Sequence, residues 1–421
     1  MVRGREIIKI AMIVWDMTMS GGTQRQALEL ARYLMRKGHT VDMFCHSLDE
    51  ARCYPDLLKG LNVVAVDKNV PQGSGRRSLS RRWALYPLEP LFTREERELA
   101  DMIPPGYDVL NPHEHRAYRV AHHYKRRHGT PAVWMVNDLP RSLRVPERGW
   151  TRKKLARTLH YCVLLGPLAL YVDRGRMSSM DRSVVFDEPT ARAFELRTGV
   201  KPDKMGSGLD ISSFHFRKKT VRPGQKDVRL LAVGVYYPHR RFEDIVLALE
   251  ALVRDGFDPS LTIVGSDRYD PGYSSRIKFL VDSKGMAARV RFLGEVSEAE
   301  LRELYSSSEV FVFPNFPQTW GLAPFEAMAS GTPAIVCGAA GAASVLKDGE
   351  NALIVPPARP DMIAERVARL LTEPGLYDNL TDSGRMFVEE NITWDAYGSR
   401  MEGLLEAVRR GPADGAPGPK L

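Results

Sequence analysis

Gln318 and Glu326 stand eight residues apart in FPNFPQTWGLAPFEAMASGTPAIV (313–336), with Gly321 and Leu322 between them. An amide, a glycine and a carboxylate in that order, ahead of a run of helix formers, suit a polar ligand at the mouth of a helix. EVFVFP (309–314) reads as a strand and PNFPQTWG as the loop after it. Pro324 fits the first turn of a helix ending near Ser330, with Gly331 as its stop. Loop amides and a helix N-terminus attract a phosphate, because unsatisfied N–H donors and the helix dipole both favour negative charge. Gly321 lets backbone approach a ligand closely. A carboxylate at Glu326 could accept the hydroxyls of a ribose, as the acidic residue of a dinucleotide fold does. The pattern therefore suits a nucleoside diphosphate, and equally an ordinary helix with a surface Glu.

The surrounding elements repeat one plan twice. IIKIAMIVW (7–15) is a short apolar run suited to a buried parallel strand. After DMTMSGG comes the helical TQRQALELARYLMRKG, where Thr23 and Gln26 have capping-box spacing. HTVDMFC, 62–67, 108–113, 132–138 and 183–187 read as further strands. The alternation restarts at VRLLAVG (228–234), continues through a helix at 241–256, and reaches a second capping box at Ser297 and Glu300. Such alternation predicts doubly wound α/β sheets, which bind ligands outside the carboxyl ends of their strands. Two in succession imply domains at 1–205 and 206–393, with a disordered tail at 411–421.

Several function classes drop out on composition. No run reaches the roughly 18 apolar residues of a membrane helix; VLLGPLALYV (163–172) is short and carries a Pro. The N-terminus reads as a first strand rather than a leader, since Lys9 interrupts its apolar run. Four cysteines without a C-x-x-C pair suggest neither zinc nor a disulfide framework, and fit a reducing cytoplasm. Charge is uneven: residues 1–205 hold 35 Lys/Arg against 23 Asp/Glu, the remainder 25 against 29. A basic first half suits an anionic partner such as a phosphorylated lipid or membrane surface. No recognition motif accompanies the charge, so nucleic acid is not expected. The segment 73–92 mixes four Arg with Trp, Tyr, Leu and Phe, as either a membrane-surface stretch or a solvated loop.

The motifs also carry a family resemblance. PQTWGLAPFEAMASGTPAIVCGAAGAASVLKDGENALIVPP resembles the signature of glycosyltransferase family 4, whose members have E-x7-E, a Gly-x-Pro strand and a D-G-x-N segment (here Asp348 to Asn351). SGGTQRQALELARYLMRKGHTV resembles the family's N-terminal Gly-rich loop and first helix. GLDISSF (208–214) resembles the opening of its second domain, and AVGVYYPHRRFEDIVLALEAL its diphosphate-binding strand and helix. The resemblance implies a GT-B fold: two Rossmann-like domains facing a central cleft, with a helix near 394–410 returning to the first. It implies a retaining enzyme that moves a sugar from a nucleoside diphosphate to a hydroxyl, and the basic first half favours a lipid-linked or polysaccharide (glycan) acceptor at the inner membrane face. It places Gly21, Gly22, Arg240, Arg241, Gly321, Leu322 and Glu326 at the donor, and His113 and Gln318 near the transferred sugar. The alternatives are a non-catalytic nucleotide-sugar-binding partner and an epimerase or hydrolase on the same fold.

Two positions depart from the pattern. Gln318 replaces the first Glu of E-x7-E, and an amide hydrogen-bonds hydroxyls but does not ionise. Val235 stands where the family has Arg, and Arg240 where it has Lys. No D-x-D occurs in the chain, so neither a metal nor another cofactor is expected, and the arginine pair is expected to clamp the diphosphate.

Overall fold

The computed structural model describes residues 6–68, 91, 93–137, 167–222, 224–316 and 320–411. Gln318, Asp138, the 412–421 tail and all of the 73–92 stretch but Leu91 lie outside them. Within the described residues the chain divides into two compact units. The first takes the chain to Phe186, then Thr190–Met205, then everything from Tyr397; the second is Gly206–Ala396 with Asp187–Pro189.

After β1 and β2, the first unit alternates helix and strand. Its elements are β1 (Lys9–Val14), β2 (Asp16–Met17), α1 (Gly22–Arg36), β3 (Thr40–Leu48), α2 (Pro55–Leu58), β4 (Asn62–Lys68), α3 (Arg94–Met102), β5 (Val109–His113), α4 (Glu114–His128), β6 (Val133–Met135), α5 (167–178), β7 (Arg182–Val185), α6 (Glu188–Thr198) and β8 (Asp203–Lys204). The sheet is parallel, in the order β2-β3-β1-β5-β6-β7-β8, with β4 beside β3. Ile10 to Val14 are fully buried, because helices cover both faces of a parallel sheet. The direction of winding reverses between β1 and β5, which pair from Ile10↔Val109 to Val14↔His113.

The second unit comprises β9 (Asp227–Val233), α7 (Phe242–Arg254), β10 (Asp258–Val264), α8 (Pro271–Ser283), β11 (Val290–Gly294), α9 (Glu298–Ser307), β12 (Val310–Phe313), α10 (Ala323–Ala329), β13 (Ala334–Cys337), β14 (Leu353–Val355), α11 (Pro360–Thr372) and α12 (Leu376–Asn391). Its parallel order, β11-β10-β9-β12-β13-β14, is the Rossmann order 3-2-1-4-5-6. The reversal falls between β9 and β12. The core joins Val228, Leu230 and Ala232 of β9 to Ile245, Val246 and Leu249 of α7. The last helix, α13 (Trp394–Arg409), begins in this unit and from Tyr397 belongs to the first. Trp394 is buried at its start.

The two expected capping boxes diverge. At α9 the Ser297 hydroxyl and the Glu300 carboxylate close the box reciprocally. At α1 there is no side-chain cap; Gly21 is the N-cap. Gln26, expected to close that box, is fully buried, and its Oε1 accepts from Asn137 Nδ2 at 2.5 Å. A tertiary hydrogen bond has taken the side chain that the local motif needed.

Candidate functional site

Both reversal points carry the predicted polar residues, and each is described within its own unit.

In the second unit, β9 ends at Val233, and the chain passes through Gly234, Val235, Tyr236 and Tyr237 into a single 3-10 turn, Pro238–Arg240. Arg240 folds back over the strand end, where a Cβ on Gly234 would lie 2.8 Å from its Nε. A side chain at this position would have to displace the guanidinium. Across the reversal, the loop after β12 is stitched to this turn. Phe316 N donates to His239 O at 2.7 Å. With the Asn315 amide oriented to satisfy both ends, its Oδ1 accepts from Arg240 Nη1 at 2.7 Å and its Nδ2 donates to Arg240 O at 3.2 Å. Burial pulls the Arg240 guanidinium below its ordinary pKa. Arg240 is thus a half-buried cation at the switch point of a Rossmann sheet, where such folds take their ligands.

Arg241 is deployed differently. It adopts a left-handed φ of 51° at the N-cap of α7. Its Nε and Nη2 donate to Asp244 Oδ2 and Oδ1 at 2.6 and 2.7 Å, and Glu243 lies 3.6 Å from its Nη1. The two arginines are thus not a symmetric pair: Arg240 crosses to the loop after β12, and Arg241 is held on its own helix by a bidentate carboxylate.

Gly321 adopts φ +78°, a left-handed conformation that suits glycine. Leu322 caps α10, Pro324 occupies its first turn, and Glu326 is partly exposed in that turn. The helix has only seven residues, so its dipole adds little. Glu326 Oε2 accepts from the buried Tyr305 hydroxyl at 2.8 Å. Gln318 is outside the described residues.

In the first unit, β1 leads through Asp16 to Gly21 and Gly22 at the start of α1, while β5 ends at His113. His113 is fully buried, and burial pushes its ring down to about 3. Its Nε2 lies 3.0 Å from Asn111 Oδ1, which accepts, so Nε2 carries the proton. Nδ1 has no partner among the described residues.

A polar network that sequence reasoning missed surrounds this histidine. Glu114 adopts φ 68°, a strained conformation for a residue with a side chain. Its N–H donates to Asn137 Oδ1 at 3.0 Å, its carbonyl accepts from Trp134 Nε1 at 2.9 Å, and its Oε1 accepts from Asp16 N at 3.2 Å. Burial raises its carboxyl to about 7. Gln24 Nε2 donates to Asp16 O at 2.6 Å, and Asn137 grips Gln26. These bonds tie the ends of β1 and β5 and the second residue after β6 to the first turns of α1. Of these residues the sequence marked Gln26, as a capping-box partner; nothing in the residue type Glu signals a left-handed backbone. No candidate metal ligands gather here: among the described residues the one group with such spacing is His39, Glu402 and Glu406, elsewhere in this unit.

Comparison with known proteins decides the family. The profile "Glycosyltransferase Family 4" matches residues 20–205, and "Glycosyl transferases group 1" matches 214–387. A D-inositol 3-phosphate glycosyltransferase of Rhodococcus jostii is 31% identical over 94% of this chain and 88% of its own length. The chain belongs to glycosyltransferase family 4. A phosphatidyl-myo-inositol mannosyltransferase of Mycobacterium leprae is 24% identical to this glycosyltransferase over 95% of the chain and 97% of the relative. Among solved structures, sucrose-phosphate synthase of Thermosynechococcus elongatus matches with TM-score 0.67 and 20% identity, over 95% of this chain and 98% of that one. Anabaena HepE in complex with UDP matches with TM-score 0.66 and 15% identity, over 95% and 100%. The fold of the glycosyltransferase is GT-B. No helix among its described residues is long and apolar enough to cross a membrane.

Proposed function

We propose that this glycosyltransferase transfers a sugar, with retention of anomeric configuration, from a nucleoside diphosphate sugar to a hydroxyl of an inositol-type or lipid-linked acceptor. The observation that carries the donor reading is the stitched switch point of the second unit, where Arg240 joins the ends of β9 and β12 and Glu326 follows one loop later. Arg240 with the backbone of Gly321 and Leu322 would face the diphosphate, and Glu326 the ribose. A HepE structure of the same fold holds UDP, which agrees with this assignment. Charge on the departing phosphate would be met by Arg240 and loop amides, without a required metal, as the absence of any D-x-D suggests.

In the first unit, Gly21, Gly22 and His113 would face the transferred sugar. The acceptor class is inferred from relatives named for inositol phosphate and phosphatidyl-inositol. The basic composition of residues 1–205 supports work beside an anionic surface, at the cytoplasmic face of a membrane. The test is incubation with UDP- and GDP-sugars and either inositol phosphate or phosphatidylinositol vesicles, with EDTA throughout. A glycosylated product with the donor's anomeric configuration by NMR supports the reading. An inverted product, or turnover only after a divalent ion is restored, overturns the mechanism or the metal-free clamp respectively.

A further inference from the structure

Tyr305 has no place in the scheme above, yet it is fixed at both ends. Its ring is fully buried in the last turns of α9, edge-on to Phe311 with centroids 5.6 Å apart and to Phe214 at 6.3 Å. Its hydroxyl donates to Glu326 Oε2 at 2.8 Å, across 21 residues of sequence. Its carbonyl accepts from Thr332 Oγ1, which in turn accepts from Lys219 Nζ at 2.5 Å. Lys219 Nζ also donates to Ser306 O at 3.0 Å. The end of α9 is thereby pinned by a lysine and a threonine from distant parts of the unit, and the only polar atom of the Tyr305 side chain is aimed at one carboxylate oxygen.

We propose that Tyr305 is the positioning residue for Glu326, fixing the plane of its carboxylate so that the group meets the two ribose hydroxyls of the donor together. The proposal rests on the ribose reading of Glu326. A carboxylate in the first turn of a seven-residue helix has three rotatable bonds, and two hydroxyls on adjacent carbons demand one orientation. A hydrogen bond from a rigid, buried phenol supplies it before the ligand arrives, so less entropy is lost on binding. Tyr305 touches no ligand in this scheme; it acts through Glu326. The Lys219–Thr332 pair holds the backbone from which the phenol projects.

The test compares UDP and GDP with their 2′,3′-dideoxy forms by calorimetric titration of the full-length protein, Tyr305→Phe and Glu326→Ala. Phenylalanine keeps the ring packing and removes only the hydroxyl. The account expects Tyr305→Phe to bind the ribonucleotide about tenfold more weakly and the dideoxy form within about twofold of the parent, compressing the ratio between them. Thr332→Val, of equal volume, is expected to move the ratio the same way by a smaller factor. Glu326→Ala is expected to abolish the ratio. If Glu326→Ala abolishes it while Tyr305→Phe and Thr332→Val leave it at the parent value, Tyr305 is only a core residue and the proposal is overturned with the donor reading intact. If Glu326→Ala keeps the parent ratio, the ribose reading itself fails and the proposal falls with it.

Discussion

A buried neutral histidine makes stability depend on pH in a direction that the structure fixes. His113 titrates near 3 in the folded chain against an ordinary 6.5. Between those values the unfolded chain takes up a proton that the folded one refuses, so stability is full above 6.5 and is lost as the pH falls. Between pH 8 and pH 5 the loss from this one ring is about 2 kcal/mol, at about 1.4 kcal/mol per pKa unit. Glu114 opposes it. Its carboxyl is raised from 4.5 to about 7, so its contribution is present below 4.5 and is lost as the pH rises through 7. The two neighbours cancel much of each other in the whole-protein curve, and only a difference curve separates them. Replacing His113 by Gln keeps an N–H donor and removes the titration. The assay is thermal unfolding of parent and His113→Gln at pH 8 and pH 5. Whatever the offset at pH 8, the gap should move in favour of the variant by about 2 kcal/mol at pH 5, roughly 4–8 °C for a unit of this size. Glu114→Gln should shift the gap the opposite way. Parallel curves for His113→Gln would refute the claim that the ring stays neutral because it is buried.

Three further outcomes follow from particular contacts. Arg240→Ala should raise the donor KM at least tenfold, whereas Arg241→Ala should act mainly on stability by freeing Asp244; steady-state kinetics beside thermal unfolding separates the two. Gln318→Glu should preserve or raise turnover if the amide stands in for an acid, and a collapse in turnover would give the amide a role of its own. Asp173 receives hydrogen bonds from Tyr118 at 2.5 Å and Arg119 at 3.1 Å, all three buried, so Asp173→Ala should cost about 3–5 kcal/mol by denaturant titration.

Sequence alone carried the fold because its signals are local and redundant. Apolar runs such as 7–15 and 228–234, each followed by a loop and an amphipathic helix, admit few architectures. Long-range hydrogen bonds were not legible. Thr23 and Gln26 share the spacing of Ser297 and Glu300, yet only the second pair caps its helix, because Asn137, 111 residues away, captures Gln26. Arg241 reads as half of a phosphate clamp, and in the structure Asp244, three residues on, accepts both of its hydrogen bonds. That i,i+3 pair was in view in the sequence, but its rank against a ligand was not. Arg240 and Glu326 stand out through spacing and family motifs, whereas Tyr305 and Glu114 carry no motif. One is a tyrosine in a helix like others, and the other's significance lies in a backbone angle.

The central claim is that the second unit binds a nucleoside diphosphate through Arg240, the loop before α10 and Glu326, and it is tested most directly by thermal unfolding with UDP, GDP, ADP and TDP in EDTA. A nucleotide at about 100 times its dissociation constant adds about 2.7 kcal/mol, or roughly 5–10 °C. The account predicts a shift of that size with one ribonucleotide, unchanged when magnesium replaces EDTA and strongly reduced in Glu326→Ala. No shift with any of the four, or an equal shift in Glu326→Ala, would contradict it.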